Sequence, residues 1–482
     1  MVQRDKGQRR KAGKGTAGPS QTEHITRVLV RYEAILLFVF LFFAYNTVSI
    51  VTVSGDTVPA ELLPVAILCD HSIFFDGPFI TSIFQGLIQT PDIAYAFPEV
   101  NGRIVSFFPI VTPVLVTPLY AISLILSSLL HAPVTPELIA ATAKTSAACI
   151  AALSGVLLYL SAKELFSQRT ALATTLVYAF ATSTWSVSSQ ALWQHGMVEL
   201  LLISLIYGII LNDRQPSYLT VATMGIISGL FVFNRPPDAV LLIPVFVYIA
   251  KECRNQAGYY AAGCLAGGAP FLLYNMLLFG NIFGGYIKNT AIFSFGPDAV
   301  VGFVSLLVAP NLGLLVFSPV LLLSVYGYSR LSTLTRPKIR NLLVWFGPVI
   351  LLQILVYSFF SLWMSATAFS YGQRFLTGFI PVLALYIGVV ISEFPEHDRT
   401  ETPARWVKAC FIILVAISVI IQAIGVFYYP FNPVKTMDRP MIWDTDHMII
   451  VESYVIGVRT ITQVVMWNVP PLPPVFIIPV HH

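Results

Sequence analysis

Ser54-Gly55-Asp56-Thr57-Val58-Pro59-Ala60-Glu61 follows the first long apolar run of the chain and is the first place where the backbone cannot still lie in lipid. About 19 apolar or small residues, Ala34 to Val53, precede it, enough to cross a hydrocarbon core. Asp56 therefore sits at a membrane surface. The tail before that run carries Arg4, Lys6, Arg9, Arg10, Lys11, Lys14, Arg27 and Arg31. The positive-inside rule keeps such a tail in the cytoplasm, so Asp56 faces the opposite side. Two readings of the carboxylate follow. In one, the chain is a scaffold that brings cations to it; in the other, Asp56 caps a short interfacial helix over Val58 to Leu68, with Glu61 in its first turn.

Composition decides the class. The 482 residues are 56% hydrophobic and 11% charged, where a soluble chain carries roughly 25% charged residues. The apolar residues recur in long runs, so the chain reads as an all-α polytopic membrane protein rather than a set of soluble domains. The net charge of +4 is spread over alternating loops and gathers on no single face, which argues against nucleic acid as a partner. The five cysteines (Cys69, Cys149, Cys253, Cys264 and Cys410) show no CxxC or Cys/His spacing and read as packing residues. The polar tail is too long for a signal peptide, so the first span is expected to be retained.

The run Ile104 to Leu130 is long enough to cross, but Pro109, Pro113 and Pro118 are expected to break its first half. If it returns to the side it left, the loop from Lys163 to Arg169 is cytoplasmic. Arg214, Lys251/Arg254, Arg330/Arg336/Lys338/Arg340 and Arg399/Arg405/Lys408 then follow it inside. That puts 20 of the 28 Lys and Arg residues in the cytoplasm, which favours the re-entrant reading. The expected spans are 33–53, 138–162, 170–188, 197–212, 218–234, 239–251, 258–279, 311–328, 341–363, 375–393 and 406–427. About eleven crossings leave a basic cytoplasmic tail (1–32), a membrane domain (33–427) whose outer loop covers about 54–137, and a Pro-rich, aromatic outer-face tail (428–482).

This topology gathers Asp56, Glu61, Arg103, Lys144, His195, Glu199, Arg235, Asp238, Lys288, Tyr371 and Arg374 at the outer face. Ionisable groups near hydrocarbon are costly and have a partner or a task. Lys144, about two turns into its span, is either a snorkelling lysine or part of an anion site. His195 and Glu199, four apart, suit one helix face; a single such pair is a weak metal site, and a hydrogen-bonding role is expected instead. Arg235 in Asn234-Arg235-Pro236-Pro237-Asp238 and Arg374 in Tyr371-Gly372-Gln373-Arg374-Phe375 defy the positive-inside rule. They suit a phosphate held by forked hydrogen bonds, or else ion pairs with Asp238 or Glu61. Gly280, Gly284, Gly285 and Tyr286 suit a loop where backbone approaches a ligand.

The order of these motifs resembles the GT-C superfamily of membrane glycosyltransferases, which includes protein O-mannosyltransferases, lipid A aminoarabinose transferases and oligosaccharyltransferase catalytic subunits. The matching stretches are Gly55-Asp56-Thr57, a proline-broken outer helix, Ala-Thr-Ala-Lys ending at Lys144 and Ala-Leu-Trp-Gln-His-Gly ending at Gly196. Asn-Arg-Pro-Pro-Asp ending at Asp238, Phe-Gly-Asn-Ile-Phe-Gly-Gly-Tyr ending at Tyr286 and Tyr-Gly-Gln-Arg-Phe ending at Phe375 complete the set. The resemblance runs from Asp56 to about Phe375. It implies a GT-C type bundle with interfacial and re-entrant helices after the first span, and a sugar donor on a polyprenyl (dolichyl or undecaprenyl) phosphate. Transfer would invert the anomeric centre at the outer face of a prokaryotic cell membrane, onto a lipid, glycan or protein hydroxyl.

By the same resemblance Asp56 is the catalytic base and Arg235 and Arg374 bind the lipid phosphate, helped by Lys144, Tyr371 or His195. Glu61, Glu199, Lys288 and Arg103 complete the expected substrate-binding set. Where many members have a second acid, this chain has Trp193-Gln194-His195, so a divalent metal is in doubt and no metal ligand is assigned. The soluble C-terminal domain of the oligosaccharyltransferases has no counterpart, which makes a peptide acceptor less expected. The rival class, a secondary transporter or lipid flippase, predicts two-fold repeats and charges at mid-bilayer; the charges here cluster at one face.

Overall fold

Every apolar run expected to span is helical within the residues that the computed structural model describes, which are 21–48, 54–288, 297–360, 363–364, 370–394, 402–429 and 442–467. In chain order the helices are α1 (Gln21–Tyr45), α2 (Val58–Cys69), α3 (Pro78–Ile88), the short α4 (Pro91–Ala94), α5 (Val111–Leu129), α6 (Pro136–Lys163) and α7 (Gln168–Phe180). They continue with α8 (Gln194–Arg214), α9 (Tyr218–Asn234), α10 (Ile243–Glu252), α11 (Ala257–Phe279) and α12 (Pro297–Val308). The last are α13 (Leu314–Phe317), α14 (Leu323–Ser329), α15 (Pro337–Ser358), α16 (Ile380–Ser392), α17 (Thr402–Phe427) and α18 (Ile449–Trp467). Among the described residues the only strands are a hairpin of two-residue strands, β1 (Glu99–Val100) and β2 (Arg103–Ile104), between α4 and α5.

Among the described residues six helical segments are long and apolar enough to cross a bilayer: Val111–Leu129, Pro136–Lys163, Gln194–Arg214, Arg254–Phe279, Pro337–Ser358 and Arg405–Phe427. Several of the remaining expected spans are interrupted helices. The run 170–188 is α7 followed by a π-helical turn, Thr184–Ser188, the runs near 239 and 375 open with 3₁₀ turns, and the run near 311 has one between α13 and α14. Proline accounts for three of these breaks, at Pro236-Pro237, Pro319 and Pro381, because a proline lacks the N–H that an unbroken helix would need.

The charged residues separate to two ends of the bundle. At one end Lys163 binds Glu33 at 2.7 Å, and Glu164 accepts from Arg214 at 2.6 Å and Arg336 at 3.1 Å. Lys338 lies 3.5 Å from Asp213 and Glu252, and Arg330 2.7 Å from Glu393. These are the loops that the charge count places together. The opposite end carries Asp56, Arg235, Asp238 and Arg374.

Helices α1 and α6 run antiparallel, tied by Lys163 to Glu33 at the first end and by Lys144 to the Tyr45 carbonyl nearer the second. Helix α5 starts and finishes in the second half. At its start Thr112 donates at 2.6 Å to Asn234, the last residue of α9, and at its finish Ser127 donates to the Ala132 carbonyl, four residues before α6 begins. Both ends of the helix therefore bond within the same half of the bundle, the arrangement that the charge count favours. One expectation is corrected in part: residues 104–110, with Pro109, are not helical, but Pro113 and Pro118 do not break the helix that follows. Pro113 lies in the first turn, where its missing N–H has no helical partner to lose, and Pro118 is accommodated inside a continuous helix.

Helices α9 and α11 run parallel and meet backbone to backbone. A methyl group on Gly225 would lie 2.2 Å from the Tyr260 carbonyl oxygen, and one on Gly263 2.2 Å from that of Ala222. Gly229 and Gly267 repeat the pattern one turn on. This four-residue spacing of glycines is the seam by which helices in lipid approach closely, where packing must replace the hydrophobic driving force.

Candidate active site

Two proline-rich or glycine-bearing breaks deliver the arginines. Pro236 drives the residue before it out of the helical region. Arg235 accordingly leaves α9 with φ −152° and ψ 89°, and its side chain turns into the bundle end instead of continuing the helix surface. Arg374 follows Gly372, whose φ of +81° is a backbone state suited to glycine. Gln373 then accepts the Phe375 N–H at 3.0 Å and Thr377 donates to the Arg374 carbonyl at 2.9 Å, fixing the turn into α16.

Both guanidinium groups are buried, Arg235 at 6% and Arg374 at 3% exposure, and both lie against the same ring. The Arg235 carbon is 5.3 Å and the Arg374 carbon 5.4 Å from the centre of Phe375. Arg374 also lies 4.5 Å over Trp193. Arg235 donates to the Tyr357 hydroxyl at 2.9 Å and lies 3.2 Å from Asp238, while Tyr357 and Gln353 donate to Asp238 at 2.6 and 2.7 Å. Burial pushes the Asp238 carboxyl up to about 6, against the pull of Arg235 and Tyr357.

Asp56 is half-buried and its two oxygens are divided between two partners. Arg374 donates to Oδ2 at 2.6 Å and the Tyr95 hydroxyl to Oδ1 at 2.6 Å. Burial pulls the Arg374 guanidinium below its usual range, with Asp56 acting in the other direction. Burial and the Asp56 charge push the Tyr95 phenol up, so it stays protonated and donates. Asp56 caps no helix: the N-cap of α2 is Thr57.

His195 stands in the first turn of α8, stacked 6.0 Å from Phe375 and acted on by the charges of Arg235 and Arg374. It is 3% exposed, and among the described residues neither ring nitrogen has a hydrogen-bond partner. Its neighbour Gln194 is anchored, with the Asn234 amide donating to the Gln194 carbonyl at 3.0 Å. Tyr286, in the glycine turn after α11, donates to Gln194 Oε1 at 3.2 Å and feels Arg235, Asp56, Asp238 and Arg374. A methyl group on Gly285 would meet the Phe107 carbonyl at 2.3 Å, which is why that turn can close over the loop before α5.

The other expected residues lie elsewhere. Lys144 donates to the Tyr45 and Ser189 carbonyls at 2.7 and 2.9 Å and so ties the end of α1 to the turn after the π-helix. Glu199 accepts from Tyr178, Thr184 and Ser188, all buried within the bundle. Tyr371 donates to the Ile421 carbonyl at 2.9 Å and packs on Phe317 and Tyr429. Glu61 faces Thr57 and Tyr120, and burial pushes its carboxyl up to about 7. Arg103 pairs with Asp76, covers Phe74 and lines an open cavity of about 500 Å³ with Ile67, His71 and Ser72. The side chain of Lys288 is outside the described residues. Among those residues no three His, Cys, Asp or Glu side chains converge as metal ligands.

Tyr95, Trp193 and Tyr357 join the site without having been singled out for it. Tyr95 and Tyr357 are single tyrosines in stretches that carry no motif. Trp193 stands beside His195 in a stretch already marked, and its neighbourhood was the available signal.

The sequence matches no protein-family profile and no curated protein. Among solved structures the chain is similar to ArnT from Cupriavidus metallidurans bound to undecaprenyl phosphate, at 11% identity and a TM-score of 0.48 over 93% of this chain and 80% of that one. It is also similar to the Archaeoglobus fulgidus oligosaccharyltransferase in its apo form, at 13% identity and a TM-score of 0.47 over 85% of this chain and 57% of that one. Both are GT-C glycosyltransferases, the superfamily that the motif order resembles. At this level neither alignment assigns a role to any residue here.

Proposed function

We propose that the chain is a glycosyltransferase that takes a sugar from a polyprenyl phosphate and passes it to an acceptor hydroxyl, with Asp56 as base. The observation that carries this reading is the convergence of two buried arginines on one ring, Phe375, with Asp56 bonded to one of them. Two guanidinium groups held away from water are a strong site for a phosphate, since charge-assisted forked hydrogen bonds gain where solvent does not compete. An apolar tail on that phosphate would remain in the bilayer.

The charge flow is simple. The acceptor oxygen attacks the anomeric carbon, its proton passes to Asp56, and the bond from that carbon to the phosphate oxygen breaks. The leaving phosphate gains negative charge, which Arg235 and Arg374 stabilise. Asp56 must reach the acceptor hydroxyl by a hydrogen bond, and its contact with Arg374 supports a base beside a phosphate ligand. No soluble nucleotide donor is required.

Protein in nanodiscs, incubated with decaprenyl phosphate esters of several hexoses and pentoses and with membrane extract as acceptor, should release decaprenyl phosphate. Asp56→Asn should prevent the release. Equal release by the two proteins would remove Asp56 as base, and no release from any ester by the wild type would remove the reading.

A further inference from the structure

The Asp56 carboxylate has a partner that lies on the outer loop. We propose that Tyr95 is the positioning residue of this site, holding the Asp56 carboxylate fixed in orientation; this rests on the reading of Asp56 as base. Three observations carry it. The Tyr95 hydroxyl donates to Oδ1 at 2.6 Å while Arg374 occupies Oδ2, so the carboxylate is bonded on both oxygens and cannot rotate. Each oxygen retains a lone pair for an acceptor hydroxyl.

The approach is built into the backbone beside Asp56. A methyl group on Gly55 would lie 2.6 Å from the Tyr95 hydroxyl and 2.8 Å from its ring, so residue 55 must be small for the phenol to lie across the chain here. The ring is also seated from the other side: Phe108 meets it edge-on at 6.4 Å, and Phe108 packs at the same distance on Tyr286. Tyr95 is 52% exposed as a residue, but its hydroxyl end is turned onto Asp56 and the Gly55 backbone.

Carbodiimide labelling of Asp56, read by site-resolved mass spectrometry on the full chain in nanodiscs, reports how freely the carboxyl is reached. Tyr95→Phe keeps the ring and loses the donor that occupies Oδ1; labelling of Asp56 should rise, because that oxygen is no longer held. Gly55→Ala keeps the phenol but pushes the ring aside, and should raise labelling in the same direction if Tyr95→Phe does not fold. An unchanged rate in the folded variants would overturn the proposal, because mere packing is conserved by Phe.

With a decaprenyl phosphate sugar that the wild type turns over, Tyr95→Phe should lower kcat and leave KM for the donor unchanged. Raised labelling in a protein that turns over no donor would support the coupling of Tyr95 to Asp56 and sink the glycosyltransferase reading. Unchanged labelling beside an active wild type would do the reverse.

Discussion

The Arg374 guanidinium lies 4.5 Å over the ring of Trp193, so the arginine bonded to Asp56 is itself seated on the loop that opens α8. A cation against an indole face gains about 0.5 to 2 kcal/mol, more when water is excluded, and Trp193 is buried. Trp193→Ala should weaken binding of decaprenyl phosphate by about 2- to 30-fold. Titration of the nanodisc protein with the lipid would measure it, and undiminished affinity would show that the ring only fills space.

Arginine identity matters more at 374 than charge. Arg374→Lys keeps a cation but cannot hold Asp56 and a phosphate with one planar fork. It should reduce decaprenyl phosphate affinity about as much as Arg374→Ala does. Full recovery by lysine would argue for a simple point charge.

Asp56→Asn keeps the shape of the side chain and cannot accept the proton. Turnover should fall by about 10²-fold or more, with decaprenyl phosphate still bound. Because Thr57 and not Asp56 stands at the N-cap of α2, near-normal turnover could not be explained by capping and would remove the base.

Lys144 should behave unlike the arginines. Its ammonium is used on the Tyr45 and Ser189 carbonyls, so Lys144→Met leaves two buried acceptors unsatisfied and should destabilise the protein by about 1 to 3 kcal/mol. The lower midpoint in a thermal melt should come with little change in decaprenyl phosphate affinity. A selective loss of affinity would return Lys144 to the phosphate site.

The path of α5 is testable from outside the bilayer. Asn101 and His131, on either side of it, are both exposed, as is Ser167 at the other end of the bundle. On a cysteine-free background an impermeant thiol reagent should reach Asn101→Cys and His131→Cys from one side and Ser167→Cys only from the opposite side. Reaction of His131→Cys with Ser167→Cys would mean that α5 crosses.

The parts of the fold that were legible in the sequence were those governed by water and charge. Long apolar runs show as helices, and alternating basic loops show which ends meet, as Glu164 with Arg214 and Arg336 demonstrates. Proline was over-read at α5, because its cost depends on where in the helix it falls and Pro113 falls where there is none. Arg235 and Arg374 stood out because topology made them unexpected. Tyr95 and Tyr357 did not, since a tyrosine pairing with a carboxylate across 39 or 119 residues of chain leaves no local pattern.

The glycine seam between α9 and α11 divides the site into two walls of different stiffness. With carbonyls wedged against glycine backbone, the two helices can neither slide nor roll separately, so Arg235 past the end of one and the Tyr286 turn past the end of the other form one unyielding face. Asp56, Tyr95 and Trp193 sit instead on connecting segments. On the proposed reading, any movement that admits a lipid-linked sugar would fall to that softer side, and Arg235 would meet its phosphate from the fixed face.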